Sequence, residues 1–519
     1  RETKRRGIPV LDGLQVVALL TSGKGRGKKV VGAMAIDRRS LDRRRPHFVL
    51  FNAVNVVLGT GGPGGMYRDS VYPKDQLGSH GLAFAAGAAA HNLTESQFGL
   101  ASTKFRWNLS GTYQQVVPRY FSTDRRGGDE REFLNEHFPD MGRLATAIFL
   151  KGYQWPFDPR KVAGCGSSLI DLLVYRETEV KGRRVFLDYR RNPSGAGRLQ
   201  DFELGLLAPE AATYLERSGA RQATPIARLR HMNRPAIDLY LRHGIDLARE
   251  PLEAAVCAQH NNGGFRGDIW WESNVRHLFP VGEANGTHGV YRPGGSALNA
   301  GQVGSFRAAL FIAKRYAQKP IPSASFVRHS RGQVEAVLDL VTRMAQPERS
   351  RPPRLQKLLA EIRGRMSGAA SHVRNPTDVR RETERAWDLV RCLPGDLGGL
   401  AVRNLPAAFR LLDLALTHAI YLTALDEYLN RGGRSRGSFL VLDPEGENPC
   451  PTLEDSWRFT LAKPDDFVSR KVLEVRLDER RRPRLSWTDV RPIPAGDAWF
   501  ENVWAAFRED AVVRKEARR

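Results

Sequence analysis

Two apolar runs near the start of the chain, LQVVALL at 14–20 and VVGAMAI at 30–36, are separated by TSGKGRGKK, whose glycines and lysines suit an exposed turn. The pattern predicts adjacent strands of a β-meander. A third apolar run at 47–60, HFVLFNAVNVVLGT, predicts one buried strand ending in the glycine turn GTGGPGG. The stretch SHGLAFAAGAAAHN at 79–92 then has the small-residue pattern of a helix lying close against backbone.

From about 101 to 259 the pattern changes to short helices, turns and strands, with DMGRLATAIFLKGY, SSLIDLLVYRE and the strand RRVFLDY as its clearest elements. This predicts a separate inserted domain. A second glycine-rich run at 282–304 leads into a helix over 297–318 that KPIPS closes. The stretch AQPERSRPPR at 345–354 reads as a linker, helical periodicity fills 355–430, and 438–519 alternates strands with a final helix. The expected units are therefore 1–100, 101–259, 260–330, 331–437 and 438–519, in an α/β chain that is α+β overall.

Composition changes this picture little. A chain of 519 residues with 41% hydrophobic and 26% charged residues is an ordinary multi-domain globular protein. The formal charge of +23 is high, but its arginines fall in short scattered clusters such as RETKRR and DERRRPR, so they predict solvated surface and not a nucleic-acid stripe. Cys165, Cys257, Cys392 and Cys450 are too dispersed for a zinc site, a disulfide framework or cluster-type ligation, which predicts a reducing, cytoplasmic setting and no bound metal. The most apolar windows read as too short or too charged to cross a bilayer. Arg1 opens a basic segment with no apolar core, which reads as a truncated start.

The candidate chemistry lies in the glycine runs. GTGGPGG satisfies G-x-G-x-x-G through Gly59, Gly61 and Gly64, but Pro63 and MYRDSVYP follow where a helix should open, so alone it reads as a strand-end turn more readily than as a dinucleotide fingerprint. The second run is richer. LFPVGEANG ends a short strand at Glu283, a carboxylate placed to accept bonds from ribose-type hydroxyls. HGVYRPGGSALNAG brings His288 and Arg292 to a turn feeding a helix N-terminus, and AQHNNGGF sets His260 on another glycine turn. A guanidinium grips both oxygens of a carboxylate and an imidazolium adds a donor, so the three suit a carboxylate clamp, although any one of them alone is more often structural.

Four ordered stretches carry a family resemblance: VNVVLGTGGPGGMYRDSVYPKDQLGSHGLAFAAGAAAHNLTESQFG, QHNNGG, LFPVGEANGTHGVYRPGGSALNAGQVG and RGGRSRGSFLVLDP. Together they resemble the flavoproteins of fumarate reductase, succinate dehydrogenase and L-aspartate oxidase. The resemblance implies an incomplete FAD-binding Rossmann-like domain interrupted by a capping domain, then a helical domain and a small α+β tail. It places Thr60, Gly61 and Gly62 along FAD, gives Glu283 its ribityl or ribose part, and brings Gly295, Ser296, Ala297 and Leu298 to the flavin ring. It makes His260 and Arg292 substrate-carboxylate ligands with His288 beside them.

The implied reaction is hydride transfer between flavin N5 and a small carboxylate or enone-like substrate, with electrons passing to or from a possible partner protein. The chain departs from the family where a histidine is replaced by Gly99, an aspartate by His80 and a serine by Ala297. The family's proton-delivering arginine has no clear counterpart, Arg160 and Arg143 being the candidates. The family's dinucleotide fingerprint precedes all of these landmarks, so the expectation is either a fragment or a protein that no longer binds FAD tightly. A non-catalytic remnant whose basic surface binds nucleic acid or another anion is the alternative.

Overall fold

The computed structural model describes residues 1–41, 46–345, 355–492, 496 and 499–515. Past Ala345, the expected linker lies outside the described residues. The first two runs form β1 (Leu14–Ser22) and β2 (Lys29–Asp37), paired antiparallel, and β3 (Phe48–Asn52) completes a three-stranded sheet.

The run 47–60 is two strands and not one. After β3 the chain leaves that sheet, and β4 (Val56–Leu58) pairs in parallel with β12 (Leu278–Pro280). Two asparagines fix the change of sheet, because the Asn52 and Asn55 side-chain amides donate to the carbonyls of Ile321 and Tyr316 at 2.7 and 3.0 Å. The helix expected over 79–92 is also shorter. It is α1 (His80–Ala85), stopped by Gly87 at φ +88°, and Ala90–His91 become β5. Its small residues are explained by packing: a Cβ on Gly81 would lie 2.5 Å from the Asp413 carbonyl oxygen, and the Asp413 carboxylate accepts from Leu82 N at 2.8 Å.

A five-stranded antiparallel sheet has the order β7 (Trp107–Asn108), β6 (Ser96–Ser102), β10 (Leu252–Asn261), β9 (Arg184–Asp188), β8 (Arg119–Thr123). A second sheet runs β11 (Gly264–Phe265), β5, β15 (Lys471–Leu477), β16 (Pro483–Asp489), and β13 (Val373–Arg374) pairs in parallel with β14 (Leu440–Glu447). Helices α2 (Met141–Leu150) and α3 (Ser167–Tyr175) belong to the inserted stretch. Farther along, α4 (Ser296–Arg315) follows the second glycine run, and α5 (Ser323–Ala345), α6 (Leu355–Ala369), α7 (Pro376–Asp396) and α8 (Leu405–Asn430) form the helical part.

Two large apolar cores result. One joins the meander, α1, α6, α7, α8 and β15, and includes Phe84, Leu278, Met366, Leu422 and Val475. The other fills the inserted stretch with residues such as Leu144, Ile170, Leu187 and Tyr240. Residues of 438–519 divide between them, since Leu440, Trp457 and Phe459 join the second core and Leu473, Val475 and Leu477 the first. The helical segment Val402–Asn430 is, contrary to the sequence expectation, long and apolar enough to cross a membrane, and 78% of its apolar window is buried inside the protein. Its hydrophobicity is that of a core helix, packed against α7, α1 and α6.

Close approach also sets the position of α4. A Cβ on Gly304 would fall 1.9 Å from Cε2 of the Trp271 indole. Gly304→Ala is therefore expected to destabilise the fold by about 1–3 kcal/mol through overpacking, read as a lower urea midpoint at unchanged m-value. An unchanged midpoint would contradict this packing.

Candidate active site

Strand β10 crosses the expected 259/260 boundary without a break and delivers His260. Its register against β6 slips between Ala258, opposite Phe98, and His260, opposite Gln97, leaving Gln259 as the extra residue of a bulge. Bulges of this kind re-aim the side chains that follow. His260 is buried, and its Nδ1 lies 2.8 Å from the Asn262 Oδ1 acceptor, which places the ring proton on Nδ1. Nε2 then faces Glu283 Oε1 at 3.7 Å. Burial, with the Arg292 and His288 charges adding to it, pulls His260 down to about 3, so the imidazole is neutral at neutral pH.

Glu283 follows β12 in a single turn of 3₁₀ helix, Gly282–Ala284. Its Oε1 accepts from Asn261 N at 2.7 Å and from the Tyr72 hydroxyl. Burial pushes its carboxyl up to about 7, against the backbone N–H groups of Asn261 and Gly62 and the Arg292 charge, which favour ionisation. The carboxylate lies against Gly62, where a Cβ would sit 2.7 Å from Oε1.

Because the folded Glu283 holds its proton above its ordinary 4.5, the stability it contributes is full below about pH 4.5 and is lost as pH rises through about 7. Glu283→Gln removes that loss. The melting temperature of the variant minus that of the parent should thus be larger at pH 8 than at pH 5. Equal differences at the two pH values would show that Glu283 titrates normally.

His288 is buried, with its ring centroid 4.7 Å from that of His260 and edge-on to it. Neither of its nitrogens makes a hydrogen bond of good geometry, although the backbone of Ala297 and Asn262 lies beside the ring. Burial, then Arg292, lowers its pKa. Arg292 is half-buried. Its Nε donates to Gln97 Oε1 at 2.8 Å, its Nη2 donates to the same oxygen, and Gln97 Nε2 returns a bond to the Arg292 carbonyl at 3.0 Å. Burial lowers its pKa, but a guanidinium stays charged at neutral pH. Among the described residues no carboxylate oxygen lies within ion-pair distance of it, so two neutral histidines surround a cation held only by an amide and carbonyls.

The remaining predicted residues lie around this centre. Thr60 and Gly61 continue from β4; the Thr60 carbonyl accepts from Gln76 Nε2, and that of Gly61 lies 3.1 Å from His80 Nε2. Gly295, at φ +79°, precedes α4, whose first turn is Ser296, Ala297 and Leu298, with no side chain capping its N–H groups. Arg160 lies outside the cluster: Asp158 holds it through Nε and Nη2 at 3.0 and 2.7 Å, and its guanidinium covers the Tyr291 ring at 4.2 Å. Arg143 is exposed on α2, its backbone N–H bonded to Asp140. Gln97, Asn261, Asn262 and Tyr72 were not singled out by sequence, and only Gln97, in the SQFG landmark, stood close to a position where the chain departs from the family pattern.

The residues present fit the hydroxyl-bearing part of a dinucleotide. Asn261 Oδ1, 3.0 Å from where a Cβ on Gly62 would sit and beside Glu283, is a buried acceptor with no partner among the described residues, as a ribose or ribityl hydroxyl requires, and Thr60 Oγ1 and Asn285 Oδ1 are likewise unpartnered. The fold is that of the fumarate reductase and succinate dehydrogenase flavoproteins, and the chain is related in sequence to a fumarate reductase subunit.

One subunit of the fumarate reductase (CoM/CoB) of Methanothermobacter marburgensis is 26% identical over 455 residues, 86% of this chain and 70% of the relative. An uncharacterized FAD-dependent oxidoreductase of Methanocaldococcus jannaschii is 42% identical over 65 residues, 12% of each chain. Among solved structures, Mycobacterium smegmatis Sdh1 in complex with UQ1 matches with a TM-score of 0.62 at 17% identity, covering 95% of this chain and 70% of that one. E. coli quinol fumarate reductase FrdA matches at 0.58 and 16%, covering 93% and 72%. Adenylylsulfate reductase of Archaeoglobus fulgidus matches at 0.54 and 14%, covering 92% and 72%. One fold thus carries different substrates, and the substrate must be argued from the site. No protein-family model matches the chain.

Proposed function

We propose that this chain is an FAD-dependent oxidoreductase acting at a carbon–carbon bond next to a carboxylate. The observation that carries the proposal is Arg292, a half-buried guanidinium with no carboxylate oxygen within ion-pair distance among the described residues, beside two buried histidines and an uncapped helix N-terminus. A buried cation without a counter-ion is costly until an anion arrives.

In this reading Arg292 takes the carboxylate of the substrate in its two-pronged fork. Drawing charge toward the oxygens leaves the β-carbon electron-poor, an effect strengthened where water is excluded. Neutral His260, fixed by Asn262, and His288 would orient the substrate without adding charge. Thr60, Gly61, Gly62 and Glu283 would hold FAD, with the Ser296–Leu298 backbone at its ring; when bound, FAD supplies two-electron hydride chemistry. The electrons would be exchanged with a partner protein or diffusible carrier.

The reading as a non-catalytic remnant binding an anionic partner is not favoured, because the basic residues are dispersed and several of them pair within their own clusters: Arg5 and Arg6 with Glu2, Arg39 with Asp37, Arg484 with Asp478. The direct test is to incubate the full chain with FAD, desalt it, record the flavin absorbance, and follow oxidation of reduced viologen on adding unsaturated carboxylates. Retained flavin and carboxylate-dependent oxidation are expected. No oxidation with any of them would overturn the proposal.

A further inference from the structure

The wall facing Arg292 points to the substrate class. Gln97, which holds Arg292, and Gly99 are two residues apart on β6 and share one face of that strand. Gly99 stands where the family resemblance puts a histidine. The space beside it is taken by the half-buried indole of Trp155: a Cβ on Gly99 would lie 3.1 Å from Trp155 Nε1 and 3.2 Å from Cε2. The indole is fixed there, its Nε1 donating to the Leu100 carbonyl at 3.4 Å.

The segment that carries Trp155 reaches the other side of the clamp too. Phe157 N donates to the Phe98 carbonyl at 2.8 Å, and Asp158 N to Ser168 Oγ at 3.0 Å, which anchors the turn holding Arg160. From that turn the Arg160 guanidinium lies over the ring of Tyr291, 4.2 Å from its centroid, and Tyr291, the neighbour of Arg292, is 49% exposed.

Charge completes the argument. The Arg160 guanidinium is paired with Asp158, and Arg436 is paired with Glu95. Of these three arginines only Arg292 has no carboxylate, so one negative charge is provided for and a second is not. A dicarboxylate would have to leave its other end against an indole and a phenol ring.

We infer that the substrate carries a single carboxylate, held by Arg292, and a planar apolar group that packs on Trp155 and Tyr291. This rests on the function proposed above. Aromatic contacts of this kind contribute up to about tenfold in affinity beyond area burial.

The test compares trans-cinnamate, crotonate and fumarate as acceptors for the FAD-loaded full chain with reduced viologen, alongside calorimetric binding of each acid to the same protein. Cinnamate is expected to show the highest kcat/KM and tightest binding. Trp155→Ala should raise its KM about tenfold while leaving fumarate unchanged. Tyr291→Ala, at an exposed position that the core does not need, should raise it several-fold, and Trp155→Phe should restore most of the preference. Fumarate turnover that exceeds cinnamate turnover, with a ratio untouched by either alanine variant, overturns this inference and leaves the proposed function standing. Absence of turnover and binding with all three acids overturns both.

Discussion

Arg292→Gln lowers kcat/KM for a carboxylate substrate by about two to three orders of magnitude. Each hydrogen bond from a charged donor contributes about 1.5–3 kcal/mol, and a two-pronged grip on a carboxylate has two of them, so a loss of about 3–4 kcal/mol is expected. The loss falls on binding and on the reacting carbon together, because the guanidinium both holds the carboxylate and draws charge from the adjacent double bond. Arg292→Lys should recover little, since an ammonium cannot present the planar fork. Stability should change much less than activity, because the hydrogen-bond partners of Arg292 are neutral, Gln97 and Pro293, and no carboxylate among the described residues lies within ion-pair distance of it. The measurement is steady-state kinetics beside urea unfolding of the same variants. Near-parent kcat/KM in the glutamine variant would remove Arg292 from the chemistry.

Arg436→Ala has the opposite signature, a large loss of stability. Glu95 is 1% exposed, and its Oε1 takes Arg436 Nε at 3.0 Å, Arg436 Nη2 at 2.7 Å and Thr94 Oγ1 at 2.9 Å, while Oε2 has no partner. Removing the arginine leaves an uncompensated buried charge, which costs about 3–5 kcal/mol. Packing is lost as well, since the guanidinium covers the Tyr428 ring at 4.8 Å and donates to the Val468 carbonyl at 2.8 Å. The double replacement Glu95→Leu with Arg436→Met should recover much of the loss, because a well-packed apolar pair often equals a buried ion pair. Chemical unfolding of the three proteins decides it; a loss below about 1 kcal/mol for Arg436→Ala would show that the pair is not sealed from water. The site should be affected at a distance, because Gly437 packs against Val290, two residues before Arg292.

Several parts of this architecture were legible in the chain. The apolar runs at 14–20 and 30–36 form the meander strands, and the glycine runs mark real close approaches: a Cβ on Gly62 would meet Glu283, and one on Gly304 would meet Trp271. His260, His288, Arg292 and Glu283 were identifiable because each sits next to glycines that let backbone come near, and the structure brings the four together.

Other parts were not. The break between β3 and β4 depends on Asn52 and Asn55 finding carbonyls more than 250 residues away, so local hydrophobicity reads it as one strand. The N-terminal turn of α1 is held by Asp413, which reaches back from α8 across 331 positions. Arg160 has the composition of a catalytic candidate, and its position under Asp158 and over Tyr291 is set by a fold that brings 160 and 291 together.

The sequence by itself determined which backbone could turn, which runs could be buried and which side chains could hold an anion, because torsional freedom, hydrophobicity and charge are properties of residues and their near neighbours. Tertiary structure alone decided that, among the described residues, Arg292 has no carboxylate within ion-pair distance. Glu95 meets Arg436 across 341 positions, while the Arg292 guanidinium meets the Gln97 amide across 195 and the neighbouring Pro293 carbonyl. Counter-ion pairing is a matter of a few ångströms in space, and nothing in the order of residues records that distance.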